Sequence, residues 1–128
     1  MTKEENIYTE EDKLILLQDL CARLPHGVKV RIHNFYRDDF EDRTLTVDNI
    51  KSIIDTFTVA AIKPYLYPYD MMSSDPKLRE EFSAMVRKEG LHFDNVTNFY
   101  NSHHIDYRDM IKKGLAIKIT NENNPYKK

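Results

Sequence analysis

Hydrophobic residues between positions 9 and 24 repeat at helical spacing. Leu14, Leu17, Cys21 and Leu24 form one line, and Ile15, Leu16 and Leu20 widen it into a stripe. Thr9-Glu10-Glu11-Asp12 supplies the start: a hydroxyl at the N-cap, acids in the first turn and a carboxylate at N3 able to reach back. Pro25 and Gly27 stop the helix. Cys21 lies inside the stripe and so reads as a buried structural thiol.

From Val28 the period changes to two. Val28, Val30 and Ile32 face a core, while Lys29, Arg31 and His33 share the outer face of a strand in a sheet with one wet side. Arg37–Asp42 reads as a charged connection, and Thr44–Val47 as the antiparallel partner strand. Asp48–Asp55 fits two patterns, a short helix with Ile50, Ile53 and Ile54 inward or a continuing strand. Phe57–Ile62 is rich in β-formers and runs into Ile62-Lys63-Pro64-Tyr65-Leu66-Tyr67-Pro68-Tyr69. The prolines force extended backbone there, each fixing its own φ and pushing its predecessor out of the helical region. Tyr65, Tyr67 and Tyr69 fall at every second position, on one side of a segment that carries the chain off the sheet and across the core.

Helical spacing then returns. Ser73-Ser74-Asp75-Pro76 starts a helix with Leu78, Phe82, Met85 and Val86 inward, and Gly90 stops it. Asp94 or Asn95 caps the next, whose stripe is Val96, Phe99, Tyr100 and His103. Asp106 caps a short third helix with Asp109 at N3, an Ile105–Met110 staple, Gly114 at the end and Leu115 touching Met110 in a Schellman closure. Leu115–Ile119 is a short final strand that adds to the sheet edge. The predicted fold is α+β: a small antiparallel three-stranded meander, open to a fourth C-terminal edge strand, packed with an N-terminal helix and two or three C-terminal helices. Residues 1–8 read as a flexible arm, 9–119 as a single domain and 120–128 as a flexible tail.

Three stretches together resemble a known group. They are Leu20-Cys21-Ala22-Arg23-Leu24-Pro25-His26-Gly27-Val28, Lys63-Pro64-Tyr65-Leu66-Tyr67-Pro68, and the run from His104 through Ile105-Asp106-Tyr107-Arg108-Asp109-Met110 to Ile117. In this order they resemble short uncharacterised proteins from gut Bacteroidales and their phages. The resemblance implies a small cytoplasmic protein in a phage or mobile-element setting, and it brings no activity, cofactor or catalytic residue with it.

The chain of 128 residues is one domain in size, and its 41% hydrophobic content includes six Phe and eight Tyr to fill a core. A net charge of −2 argues against a protein that coats nucleic acid or an anionic membrane. Residues 1–27 nevertheless hold three basic and six acidic side chains, and residues 103–128 six basic and three acidic. One cysteine allows neither an intrachain disulfide nor a thiolate cluster, and no apolar run approaches the ~20 residues of a membrane span. A polar N-terminus without a signal-peptide core points to a cytoplasmic protein.

Chemistry has few places to sit. No Gly-x-Ser-x-Gly is present, and all three glycines stand at element ends, so no phosphate loop forms. His103, His104 and Asp106 are the nearest thing to a metal-dependent hydrolase site, but adjacent histidines on a helix diverge by roughly 100°. No cofactor or metal is called for, and no catalysis is expected. The better reading is a binding protein acting on a protein partner, through Lys29, Arg31 and His33 on the strand's outer face with Lys63, Tyr65, Tyr67 and Tyr69 beside it. Basic groups next to stacking aromatics also suit single-stranded nucleic acid or a nucleotide, the second reading.

Overall fold

The structure, a computed structural model, describes residues 8–126. Its elements in chain order are α1 (Glu10–Arg23), β1 (Lys29–Asn34), β2 (Asp39–Thr44), α2 (Ile50–Phe57), β3 (Ile62–Leu66), α3 (Met71–Ser74), α4 (Pro76–Glu89), α5 (Phe93–Ser102) and β4 (Ile117–Lys118). The class is α+β as expected. The four strands run in the order β2-β1-β3-β4, antiparallel except for the parallel β3–β4 pair.

The start of α1 is the capping box that Thr9 and Asp12 foretell. Thr9 Oγ1 accepts from Asp12 N at 3.0 Å, and Thr9 N donates back to Asp12 Oδ2 at 3.2 Å. Gly27 ends the following 3-10 turn at φ 67, a left-handed geometry that costs glycine nothing. The buried face of α1 is rotated from the expected stripe. Leu16, Asp19, Leu20 and Arg23 are inward, whereas Leu14 and Leu17 are exposed. Cys21 is exposed too, which corrects the buried thiol. The rotation follows from Asp19 and Arg23, which bury as a pair and take the helix face that an apolar count assigns elsewhere.

The second strand is also displaced. The charged run Asp39–Thr44 is the strand, and of the expected Thr44–Val47 only Thr44 belongs to it; the chain leaves the sheet after Thr44, with Leu45 alone of the remaining three buried. As an edge strand beyond most of the core, β2 tolerates alternating charges, which also blunt its open side. The ambiguous stretch 48–55 resolves as α2, with Ile53 inward. The proline segment is itself an inner strand. Pro64 lies opposite Val30, and pairing with β4 begins one residue later at Tyr65, so the proline's missing N–H costs no β4 ladder bond.

Asp75 caps α4 by accepting from Lys77 N and Leu78 N, with Pro76 in the first turn. α5 starts at Phe93, earlier than Asp94 or Asn95 suggested, and Asn95 instead donates to the Glu89 and Gly90 carbonyls that end α4. Residues 106–114 form turns, not a helix, because Asp109 adopts φ 63. The closure is nonetheless as expected: Leu115 N donates to Met110 O and Gly114 N to Ile111 O.

One apolar cluster, including Leu16, Leu20, Val30, Ile32, Ile53, Ile62 and Leu66, lies on the inner sheet face under α1 and α2. A second joins Leu78, Phe99 and Ile105 with Tyr67, Met71 and Phe82 under α4 and α5. The Tyr8 hydroxyl donates to Gly114 O at 3.2 Å, and the rest of the expected arm lies outside the described residues. Of the expected tail, residues 127–128 lie outside the described residues. The Tyr126 hydroxyl accepts from Lys29 N at 2.8 Å and donates to Tyr65 O at 3.1 Å, bridging β1 and β3 where their pairing stops. No described helix is long and apolar enough to cross a membrane.

Candidate functional site

Strict alternation along β1 turns Lys29, Arg31 and His33 to the outer face, and the register sets Arg31 opposite both Asp42 and Lys63. The same parity places Tyr65 on that face. Five of the seven predicted binding residues are therefore neighbours: Lys29, Arg31, His33, Lys63 and Tyr65. Tyr67 and Tyr69 are not. Tyr67 packs into the second apolar cluster while its hydroxyl accepts from Asn124 Nδ2 at 2.8 Å, and Tyr69 turns to Tyr100, hydroxyl to hydroxyl at 3.2 Å. The tyrosines part because only the first lies within the strand, and the chain bends into α3 beyond Pro68.

On the outer face, ring and cation alternate. His33 stacks on Phe40 at 4.8 Å between centroids and meets Phe35 edge-on at 4.2 Å. The Arg31 guanidinium carbon lies 5.6 Å from the Phe40 centroid and 5.5 Å from that of Tyr65. Tyr65 is 2% exposed, and its hydroxyl donates to Asp42 at 2.8 Å. Burial and the Asp42 hydrogen bond raise its pKa. At the turn, Tyr36 is fully exposed, Phe40 61% and Phe35 42%. These three aromatics escape a pattern reading, since Phe40 hides in a charged run and Phe35 and Tyr36 lie in the turn between the strands. Their one signal is aromatic residues where neither helical nor strand period asks for them.

The cations of this face are unevenly paired: Arg31 has a carboxylate beside it, whereas among the described residues Lys29 and Lys63 have none within 4 Å. Arg31 sits 3.6 Å from Asp42 and, at the turn, Arg37 3.3 Å from Asp39, while the Arg43–Glu41 pair stands opposite Val30 and Ile32 on the other face. Lys29 Nζ donates to Thr44 Oγ1 at 2.7 Å, and His33 Nε2 is 3.0 Å from Asp38.

The three residues of the hydrolase alternative do not converge. His103 faces Glu81 at 3.6 Å, with burial lowering its pKa against that carboxylate's pull. His104, at φ 58, is buried and stacks on the Tyr126 ring at 4.0 Å; its Nδ1 has no hydrogen-bond partner among the described residues. Burial, helped by the Arg23 charge, lowers its pKa to about 4. Asp106 spends both oxygens on the backbone, accepting from Met110 N at 2.8 Å and Ile111 N at 2.9 Å. Among the described residues, no group of three or more His, Cys, Asp or Glu could hold a metal ion.

Nearby, Asp19 and Arg23 are both fully buried. Arg23 Nε meets Asp19 Oδ2 at 2.8 Å, Arg23 Nη2 donates to Ile105 O at 2.6 Å, and Arg108 Nη1 reaches Asp19 Oδ1 at 2.9 Å. The network ties α1 to the turn after α5. Beside that turn, α5 and Tyr69 flank an open cleft of about 410 Å³, lined in part by Tyr100, Tyr107, Phe93, Asp106 and Asp109.

No family model, curated protein or solved structure matches the chain.

Proposed function

We propose that this is a non-catalytic binding protein that engages a protein partner through the outer face of the β1–β2 hairpin. The observation that carries the reading is the exposed cluster of Phe35, Tyr36 and Phe40 gathered around His33 and Arg31. Apolar rings left in water on a stiff hairpin are costly unless something covers them, and Tyr, Phe and Arg are the side chains that anchor protein interfaces. Around the rings, Arg31 and Arg37 pair with Asp42 and Asp39 and make a polar rim. The cytoplasm, in a phage or mobile-element setting, is the place that the sequence resemblance implies.

The nucleic-acid reading is second because of the same charge pairs. Binding a phosphate backbone draws its energy from free Lys and Arg that release counterions. Here Arg31 and Arg37 already have carboxylates within 4 Å, which leaves Lys29 and Lys63 as the cations of this face that a phosphate would use.

The experiment is quantitative affinity capture with the native protein and with Tyr36→Ala/Phe40→Ala, both checked for folding by circular dichroism. A partner that binds the native protein and is lost with the double variant supports the reading. Equal recovery by both contradicts it. A low-salt titration with single-stranded oligonucleotides separates the second reading, since tight binding that weakens steeply with salt would favour it.

A further inference from the structure

The segment after β4, Thr120–Tyr126, returns to the sheet and closes over His104. Its own turn is local: Thr120 N donates to Asn123 Oδ1, and Tyr126 N to Asn124 Oδ1 at 2.9 Å. Beyond β4, its hydrogen bonds to the described residues are three. Asn124 Nδ2 donates to the Tyr67 hydroxyl at 2.8 Å, and the Tyr126 hydroxyl bridges Lys29 N and Tyr65 O. None of residues 120–126 is fully buried, whereas Ile119 just before them is buried and donates to Leu66 O at 2.9 Å. The core thus ends at Ile119, and the segment beyond it can lift away by breaking those three bonds and one ring contact.

That ring contact involves a group that titrates. The Tyr126 ring lies on the His104 imidazole at 4.0 Å. The imidazole is buried, and among the described residues its Nδ1 has no hydrogen-bond partner. A protonated imidazole carries an N–H on both nitrogens, and a buried donor without an acceptor is costly. The charges around it add to the difficulty. Arg23 from α1, His26 from the turn after it, Lys29 from β1 and the adjacent His103 all oppose another positive charge. Asp19, the carboxylate beside Arg23, is already held by Arg23 and Arg108. Water is the acceptor that remains, and lifting Tyr126 admits it while the His104 carbonyl keeps its bond from Tyr67 N.

We propose that Thr120–Tyr126 is a proton-released strap: a proton on His104 frees Tyr126 from β1 and β3 while the sheet stays folded. Opening bares Lys29 N and Tyr65 O, backbone groups of two outer-face residues. The strap is held fully above the ordinary histidine pKa of ~6.5. It loosens as the pH falls towards about 4, the value to which burial and then Arg23 lower the imidazole of the closed form.

Native-state amide exchange, read by NMR at about pH 7.5 and about pH 5, compares Lys29, whose amide donates to Tyr126, with Ile32 in β1. Corrected for intrinsic rates, protection at Lys29 should fall by about thirtyfold, the effect of proton affinities set by ~6.5 when open and about 4 when closed. Lys29 exchange should respond little to low urea, while exchange at Ile32 rises steeply with it. In His104→Asn, which does not titrate, Lys29 protection should stay flat with pH. The urea comparison uses the native protein alone and stands even where the variant fails to fold. Lys29 protection that is unchanged by pH, that falls equally in His104→Asn, or that shares the urea slope of Ile32 would overturn the proposal.

Discussion

Acidification works against the packing of His104. Its imidazole is buried against Tyr126, with Nδ1 unpartnered among the described residues. Burial, reinforced by the charges of Arg23, His26, His103 and Lys29, lowers its pKa to about 4. In the unfolded chain the group titrates near ~6.5. Between those values the unfolded chain takes the proton and the folded chain does not, so stability rises with pH across the window. The contribution is fully present above ~6.5 and is lost as the pH falls towards about 4. At about 1.4 kcal/mol per factor of ten in proton affinity, the whole gap is worth about 3 kcal/mol, a large part of the ~5–15 kcal/mol that holds a domain together. His103, whose pKa burial also lowers, acts in the same direction.

Urea unfolding of the native protein and His104→Asn, followed by circular dichroism from about pH 7.5 to about pH 4.5, reads this directly. Asparagine tolerates the backbone at φ 58 and does not titrate. Carboxylates common to both proteins cancel in the difference. The native protein should lose about 2.5 kcal/mol more than the variant across that range. Parallel profiles, or an NMR titration of His104 centred near ~6.5, would refute the reasoning.

Three other perturbations have definite outcomes. Asp19→Ala leaves Arg23 charged and fully buried, with Arg108 also unpaired, and should cost about 3–5 kcal/mol in a urea titration. Tyr126→Phe deletes the hydroxyl bridge between Lys29 N and Tyr65 O; a loss of about 1–3 kcal/mol is expected, with faster amide exchange at Lys29. Cys21, exposed on α1, should label promptly with a thiol reagent in the folded protein, and Cys21→Ser should change stability by no more than about 0.5 kcal/mol.

What the sequence disclosed, and what it hid, divides along physical lines. Local signals survived folding well: the Thr9 capping box, the Asp75-Pro76 start, the Gly27 stop and the Gly114–Leu115 closure each depend on a few adjacent residues. The alternation of β1 was equally plain because its inner face meets the core directly. Tertiary choices were not readable. The inward face of α1 turns on a buried Asp19–Arg23 pair whose stabilising partners, Ile105 O and Arg108, lie more than eighty residues away. β2 carries charges in both directions because it is an edge, and edge position is a property of the sheet rather than of the strand. Tyr126 docks on β1 and β3 from a polar tail that no local period distinguishes. At the candidate surface, Lys29, Arg31, His33, Lys63 and Tyr65 were foreseeable as neighbours, while Phe35, Tyr36 and Phe40 were visible only once the hairpin register put Phe40 opposite His33.

The hairpin's role is most directly tested by site-specific photocrosslinking in the native cell. A photoreactive phenylalanine analogue at Tyr36, fully exposed among the hairpin aromatics, is compared with the same analogue at Ser83, exposed on α4. The account predicts a discrete protein adduct from position 36 that is absent from position 83. The same adducts from both positions, nucleic acid as the principal adduct, or none at all from position 36 would contradict it.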